Sequence, residues 1–311
     1  MRARRDCFVS GRKGRDHMQY VLSCCSTADL TKEQLEERNI RYIYFHYEMD
    51  GVQYPDDLGQ TMPFDKFYQA MADGADTKTS QVNVDEFLEY FRPMLAAGQD
   101  VVHCCLSSGI SGVYNAAASA QKILAEEFPD RKLYVVDTLC ASGGFGLMMF
   151  KLAELRDAGL TAEELVEWIM KHRLEMQHWF FSMDLTFFVK GGRISKASGW
   201  FGTVLNICPL MNVDNKGGLV PRYKLRGKKK AIEASVNKML ELAQDRENYS
   251  GQCLITNAAC YEDARALADL IEQKFPRLNG RVIINSIGTT IGSHTGPGTV
   301  AFFFWGDERT A

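Results

Sequence analysis

Short apolar runs alternating with helix-patterned segments constrain this chain more than any other feature. Residues 20–25, 42–47, 101–106 and 133–136 are apolar runs of strand length. A strand buried on both faces reads as such a continuous run, without the alternation of a half-exposed strand. Helix signals lie between them. Thr31 with Gln34, and Asn83 with Glu86, have capping-box spacing, in which side chains and backbone N–H groups exchange hydrogen bonds at a helix start. From Val113 onward, Ala116, Ala117, Ala120 and Leu124 share one helical face. Such alternation specifies a parallel sheet covered by helices on both sides. A further capping box, Thr161 with Glu164, opens a helix expected to reach about Glu175.

After His178 the pattern changes. Residues 179–189 read as strand and are followed by Gly191-Gly192. Residues 219–225 alternate apolar and polar, and a lysine-rich segment then leads into a helix over about 229–244. A strand at 253–256, a helix at 262–274 and strands at 281–286 and 299–305 complete the chain. Strands with single helices and no regular short crossovers indicate an α+β unit with a mainly antiparallel sheet. A chain of 311 residues has room for two medium domains sharing a cleft. The expected fold class is therefore α/β in two domains: residues 18–177 form an N-terminal parallel sheet flanked by helices, and residues 178–311 form the C-terminal α+β domain. Residues 1–17 are expected to be a leader or tail outside the fold, with the fold opening near Met18.

Composition narrows the function. With 46% hydrophobic and 24% charged residues the balance is that of a globular chain, which argues against disorder. A net charge of −3 gives no basic surface for nucleic acid. No apolar run approaches the ~20 residues that span a bilayer, and the basic start lacks the apolar centre of a secretory signal. The expectation is a cytoplasmic protein with at most transient membrane contact, monomeric by default. The nine cysteines include the adjacent pairs Cys24-Cys25 and Cys104-Cys105 and no CxxC. Neighbours on a strand point to opposite faces, so these pairs do not propose a metal site. They read as reduced, mostly buried thiols.

Four segments can carry chemistry. Ser107-Ser108-Gly109-Ile110-Ser111-Gly112 joins a buried strand to the helix from Val113, where open α/β sheets bind ligands and free helical N–H groups favour an anion. Taken alone it is either an anion loop or a capped turn whose serines serve the helix start. Thr77-Lys78-Thr79-Ser80-Gln81 is a second hydroxyl cluster ahead of a helix; on its own it reads as a cap or turn, but the two clusters could converge on one acidic group. Lys190-Gly191-Gly192-Arg193 offers a backbone bend and a forked donor suited to carboxylate or phosphate, or else a surface hairpin with a solvated arginine. His294-Thr295-Gly296-Pro297-Gly298 places a histidine in what reads as a Gly/Pro-rich loop. Ser111 with His294 also allows a serine-dependent lipid hydrolase or acyltransferase, although the sequence around Ser111 lacks the second glycine of GxSxG. A binding module for an apolar acid or a regulatory ligand is a further possibility. Ser142-Gly143-Gly144-Phe145-Gly146 fits neither a P-loop nor GxGxxG and reads as a turn and helix start. Lys228-Lys229-Lys230 is too short for a nucleic-acid patch.

Together these segments resemble the DegV family, whose fatty-acid-binding members include the FakB proteins. The resemblance runs from Tyr20 almost to the C-terminus. It rests on Ser26-Thr27-Ala28-Asp29-Leu30, Thr79-Ser80-Gln81, the Ser107–Gly112 loop, Gly191-Gly192-Arg193-Ile194-Ser195, Leu205-Asn206-Ile207-Cys208-Pro209-Leu210, Arg226-Gly227-Lys228-Lys229 and His294-Thr295-Gly296-Pro297-Gly298. It implies one long-chain fatty acid in the cleft between the domains, with no other cofactor and no metal. It also implies carboxylate-holding hydroxyls at Thr79 and Ser111, and Arg193 and His294 near the head group; Ser80, Ser108 and Gly112 complete the expected head-group set. FakB-type members present the acid to a separate fatty acid kinase and carry the acyl phosphate to phospholipid synthesis, without catalysis of their own. Three positions depart from the family's usual residues: Cys25 where it has Asp, Val82 where it has Pro, and Val113 where it has Thr. Tail-pocket walls are expected from Phe145, Met148, Met149, Phe187, Phe188 and Ile194.

Overall fold

The computed structural model describes residues 20–195 and 206–311. The expected leader over 1–17, the start near Met18 and Leu205 of the Leu205–Leu210 motif lie outside the described residues. From Val21 the chain runs through β1 (Val21–Cys25), α1 (Lys32–Glu37), β2 (Ile40–Ile43), β3 (His46–Met49), β4 (Val52–Pro55), α2 (Phe64–Ala72) and β5 (Thr77–Ser80). It continues with α3 (Val84–Ala96), β6 (Val101–Cys105), α4 (Val113–Glu127), β7 (Leu133–Asp137), α5 (Ser142–Asp157) and α6 (Ala162–His172). Strands β2-β1-β6-β7 pair in that order as a parallel sheet. All five residues of β6 are buried, as a central strand covered on both faces requires. The capping boxes at Thr31, Asn83 and Thr161 all form.

The second domain follows as β8 (Met176–Phe181), α7 (Thr186–Lys190), β9 (Ile207–Val213), β10 (Leu219–Arg226), α8 (Gly227–Leu242), β11 (Leu254–Asn257), α9 (Tyr261–Lys274), β12 (Ile283–Ser286), α10 (Thr289–Thr295) and β13 (Val300–Trp305). Its six-stranded sheet has the order β10-β9-β8-β13-β11-β12. Every neighbouring pair is antiparallel except β11 with β12. The two-domain α/β architecture is thus the expected one, with a mainly antiparallel second sheet.

Four local expectations are corrected. The run 42–47 is not one strand: β2 ends at Ile43, and β3 starts at His46 in a separate three-stranded antiparallel sheet, β4-β3-β5. Residues 179–189 are also divided, because Ser182 and Asp184 make a turn whose Asp184 side chain accepts from Thr186 N–H, and α7 follows. The Thr77–Ser80 cluster is a strand, β5, rather than a cap or turn. His294 lies in the last turn of α10 rather than in a loop.

Helix α5 joins the two halves. Most of it is buried around its whole circumference, the signature of a helix enclosed on all sides. Its glycines are spacing devices. A Cβ on Gly143 would lie 2.2 Å from Leu254, one on Gly144 2.3 Å from His178, and one on Gly146 2.6 Å from the Ala28 carbonyl oxygen. The segment read as a turn and helix start is therefore a helix start whose bare backbone lets the second sheet pack against it.

Candidate functional site

Between the two domains lies a cavity of about 390 Å³. Its polar lining comes from β5 and the residue after it (Thr79, Ser80, Gln81), from the loop before α4 (Ser111, Gly112), and from Arg193 and His294. Ser80, Gln81 and Gly112 are exposed, so this end is the mouth. Buried apolar side chains such as Phe180, Phe188 and Phe303 line most of the rest, with Ser142, His178, Thr290, Thr295 and Thr299 set among them. The hydroxyl clusters from β5 and from the loop after β6 thus meet at one place.

At the mouth, Thr79 Oγ1 and His294 Nε2 are 2.7 Å apart. Burial and then the nearby Arg193 charge lower the His294 pKa to about 4, so the ring is neutral near pH 7. His294 Nδ1 is buried without a partner. A proton on Nδ1 would be a buried donor with nothing to accept it, so the proton belongs on Nε2. The imidazole then donates to Thr79, and the Thr79 hydroxyl is free to donate onward to an acid. Ser111 Oγ accepts from Val113 N–H at 3.2 Å and donates to Gln81 Oε1 over a long 3.4 Å. A bond that long is weak, so this hydroxyl can turn to a better acceptor at small cost. Gly112 precedes the fifteen-residue α4 without a side-chain cap, which leaves free N–H groups beside Ser111.

Arg193 does not point its fork at an open space. Its Nε and Nη2 donate to the Ile110 carbonyl at 3.2 and 3.1 Å, and Nη1 donates to the Gly191 carbonyl at 2.5 Å. It thereby ties the segment after α7 to the serine loop while leaving N–H groups over, since a guanidinium carries five. Burial pulls its pKa down. Gly191 is packed against His294: a Cβ there would lie 2.2 Å from Nδ1. Ser107 is buried and donates to the Gly217 carbonyl at 2.9 Å, bringing the β9–β10 turn onto the loop.

The arrangement offers hydroxyl and backbone donors at the opening of a mainly apolar chamber. The family model described as "Uncharacterised protein, DegV family" matches residues 25–307. This chain belongs to the DegV family. A DegV domain-containing protein of Clostridium perfringens is 33% identical over 294 residues, 94% of this chain and 99% of the relative. A Thermotoga maritima protein named fatty acid-binding protein is 33% identical over 284 residues, 89% of this chain and 94% of the relative. The crystal structure of a DegV lipid-binding protein from Thermotoga maritima superposes with a TM-score of 0.81 at 30% identity, covering 94% of this chain and 100% of that one.

Other residues singled out from the sequence fall elsewhere in this DegV chain. Ser108 is exposed, and its backbone N–H donates to Asp137 at 3.1 Å. Of the residues expected around an apolar tail, Phe188 lines the cavity. Phe145, Met148, Met149 and Ile194 pack in the main core, and Phe187 lies against a smaller cluster beside Gly296. Helix α5 is enclosed, so its large side chains fill the space between sheets instead of the chamber. Cys25, Val82 and Val113 are fully buried. Cys25 Sγ lies 3.7 Å from His103 Nε2, and burial pushes its pKa up to about 12, which keeps the thiol protonated and inert. Gln81 was hidden in the sequence: it sits beside the hydroxyl cluster as an ordinary polar residue, and only the fold makes it the partner of Ser111. Among the described residues no group of three or more His, Cys, Asp or Glu is placed to hold a metal ion. No helix of the described residues is long and apolar enough to cross a membrane.

Proposed function

We propose that this DegV protein binds one long-chain fatty acid without catalysis of its own, its carboxylate at Thr79 and Ser111 and its tail in the interdomain cavity. It would present the acid to a separate fatty acid kinase and carry the acyl phosphate onward. The observation that carries this reading is the Thr79–His294 pair at the mouth of a mainly apolar chamber. A neutral imidazole that donates to a threonine leaves the hydroxyl as an outward donor, which is what an ionised carboxylate leaving water requires. Burying each methylene is worth ~0.8 kcal/mol, so a tail of about sixteen carbons contributes on the order of 10 kcal/mol before association entropy takes part of it back. The tail supplies affinity and the hydroxyls supply orientation. The relatives named as lipid- and fatty-acid-binding proteins support the same ligand class.

The hydrolase alternative has less support. His294 Nε2 is engaged with Thr79, Ser111 bonds to Gln81, and among the described residues no acid orients Nδ1. A Ser–His pair needs the base at the nucleophile and a third group behind it.

Lipid extraction and mass spectrometry of the purified chain test the proposal. One long-chain fatty acid per chain, recovered or taken up, is expected; a chain that carries none and takes up none refutes it. Adding ATP and a bacterial fatty acid kinase to the loaded chain tests the carrier role, through formation of acyl phosphate.

A further inference from the structure

Two carboxyl groups are buried where the N-terminal domain meets the amino end of α10. Asp29, in the turn after β1, is 4% exposed, and Asp56, after β4, is 1% exposed. Asp29 Oδ1 accepts from Gly288 N–H at 2.9 Å, and its Oδ2 accepts from Ser142 of α5. Asp56 Oδ1 accepts from Thr289 at 2.7 Å and Oδ2 from Ser26 at 3.0 Å. Gly288 and Thr289 are the first residues of the α10 segment, and both acids stand so close that a Cβ on Gly288 would meet Asp29 at 2.9 Å and Asp56 at 3.4 Å. Asn285 Nδ2 adds a bond to the Asp29 carbonyl at 3.0 Å. Helix α10 carries His294 to the cavity mouth, and Thr290, Ile291 and Thr295 of the same helix line the chamber. Ser142, the Asp29 partner, lines it too.

We propose that Asp29 and Asp56 are positioning residues for the head-group clamp, fastening the amino end of α10 to the N-terminal domain through the bonds from Gly288 and Thr289. This rests on the fatty-acid reading of the cavity. Two ionised carboxylates on either side of one glycine, both out of water, repel at low dielectric, while one ionised and one neutral acid can share the donors around them. Burial, opposed by the bonds from Ser142 and Gly288 and reinforced by Asp56, pushes the Asp29 pKa up to about 8. Burial also raises that of Asp56, against the hydroxyls that bond it. The other titratable groups facing the pair are Tyr68 of α2 and Tyr47 of β3, neither of them cationic. Among the described residues, neither acid forms an ion pair with Lys, Arg or His. When neutral, Asp29 can donate to Ser142, which passes its own proton to Thr256 at 3.0 Å. A second charge breaks that chain and loosens α10, and with it the His294–Thr79 bond.

The test is calorimetric binding of palmitic acid between about pH 6 and pH 9, a range centred near the folded Asp29 pKa, to the full wild-type chain and to Asp29→Asn. The amide keeps the acceptor for Gly288 and a donor toward Ser142 but cannot ionise. Wild type is expected to lose about tenfold more affinity across that range than the variant. Comparing the two chains cancels the titration of the ligand itself. Asp56→Asn, which replaces one of the two oxygens that accept from Thr289 and Ser26 by a donor, should weaken binding at the lower pH end while leaving the chain folded. If both chains bind with parallel pH profiles, the positioning role is wrong and the fatty-acid reading stands. If wild type binds no palmitic acid at any pH, the fatty-acid reading fails, and this inference with it.

Discussion

Replacing Gly191 by Ala is the sharpest probe of the clamp. The backbone there has φ −71°, which alanine adopts freely, so the change acts through space alone. The new methyl would sit 2.2 Å from His294 Nδ1 and 3.1 Å from the Phe187 carbonyl. Carbon–nitrogen contact is comfortable only beyond roughly 3.5 Å, so the imidazole must move by on the order of 1 Å. A 2.7 Å bond stretched by that much is no longer a hydrogen bond of normal strength. Losing the group that orients Thr79 toward a carboxylate costs about 1–3 kcal/mol, a rise of roughly five- to 150-fold in Kd for palmitic acid. Gly192→Ala is the control. Its φ is +73° with open space around it, so alanine is strained by ~1–2 kcal/mol but touches nothing in the clamp. Titration calorimetry with thermal unfolding separates the two: Gly191→Ala should lose affinity, Gly192→Ala only stability. Wild-type affinity in Gly191→Ala, or equal losses in both variants, would refute this account of the clamp.

Other consequences can be measured alongside. Thr79→Ala with Ser111→Ala should weaken palmitic acid binding by about 1–3 kcal/mol per charge-assisted bond lost, and unchanged affinity would mean the carboxylate lies elsewhere. His294, held at about 4 by burial against an ordinary 6.5, binds its proton more readily when unfolded. Its contribution to stability is therefore complete above the ordinary value and lost as pH falls from 6.5 through 4, and denaturant titrations of His294→Gln should lack that part of the acid decline. Gly144→Ala drives a methyl to within 2.3 Å of His178, a ring held by Ala141 N–H and the Met176 carbonyl. Overpacking there should cost ~1–3 kcal/mol, visible as a lower denaturant midpoint, and a wild-type midpoint would show that α5 has slack.

The sequence exposed what local chemistry decides and concealed what distant chemistry decides. The capping boxes at Thr31, Asn83 and Thr161 were legible because every partner lies within three residues. The run at 42–47 was misleading because periodicity cannot reveal that a chain leaves one sheet at Ile43 and joins another at His46. Thr79 read as part of a turn, since a polar edge strand such as β5 has no apolar signature. Phe145, Met148 and Met149 looked like walls for a greasy tail, but an apolar helix reads the same whether it faces a cavity or another sheet. Asp29 sat in view within the Ser26–Leu30 motif, yet its partners Ser142, Asn285 and Gly288 lie more than a hundred residues away.

A crystal structure of the chain soaked with palmitic acid tests the central claim most directly. The account predicts the carboxylate within hydrogen-bonding distance of the Thr79 and Ser111 hydroxyls, and the hydrocarbon running inward past Phe188 and Phe303. An acid bound tail-outward, or lodged anywhere other than the interdomain cavity, would contradict it.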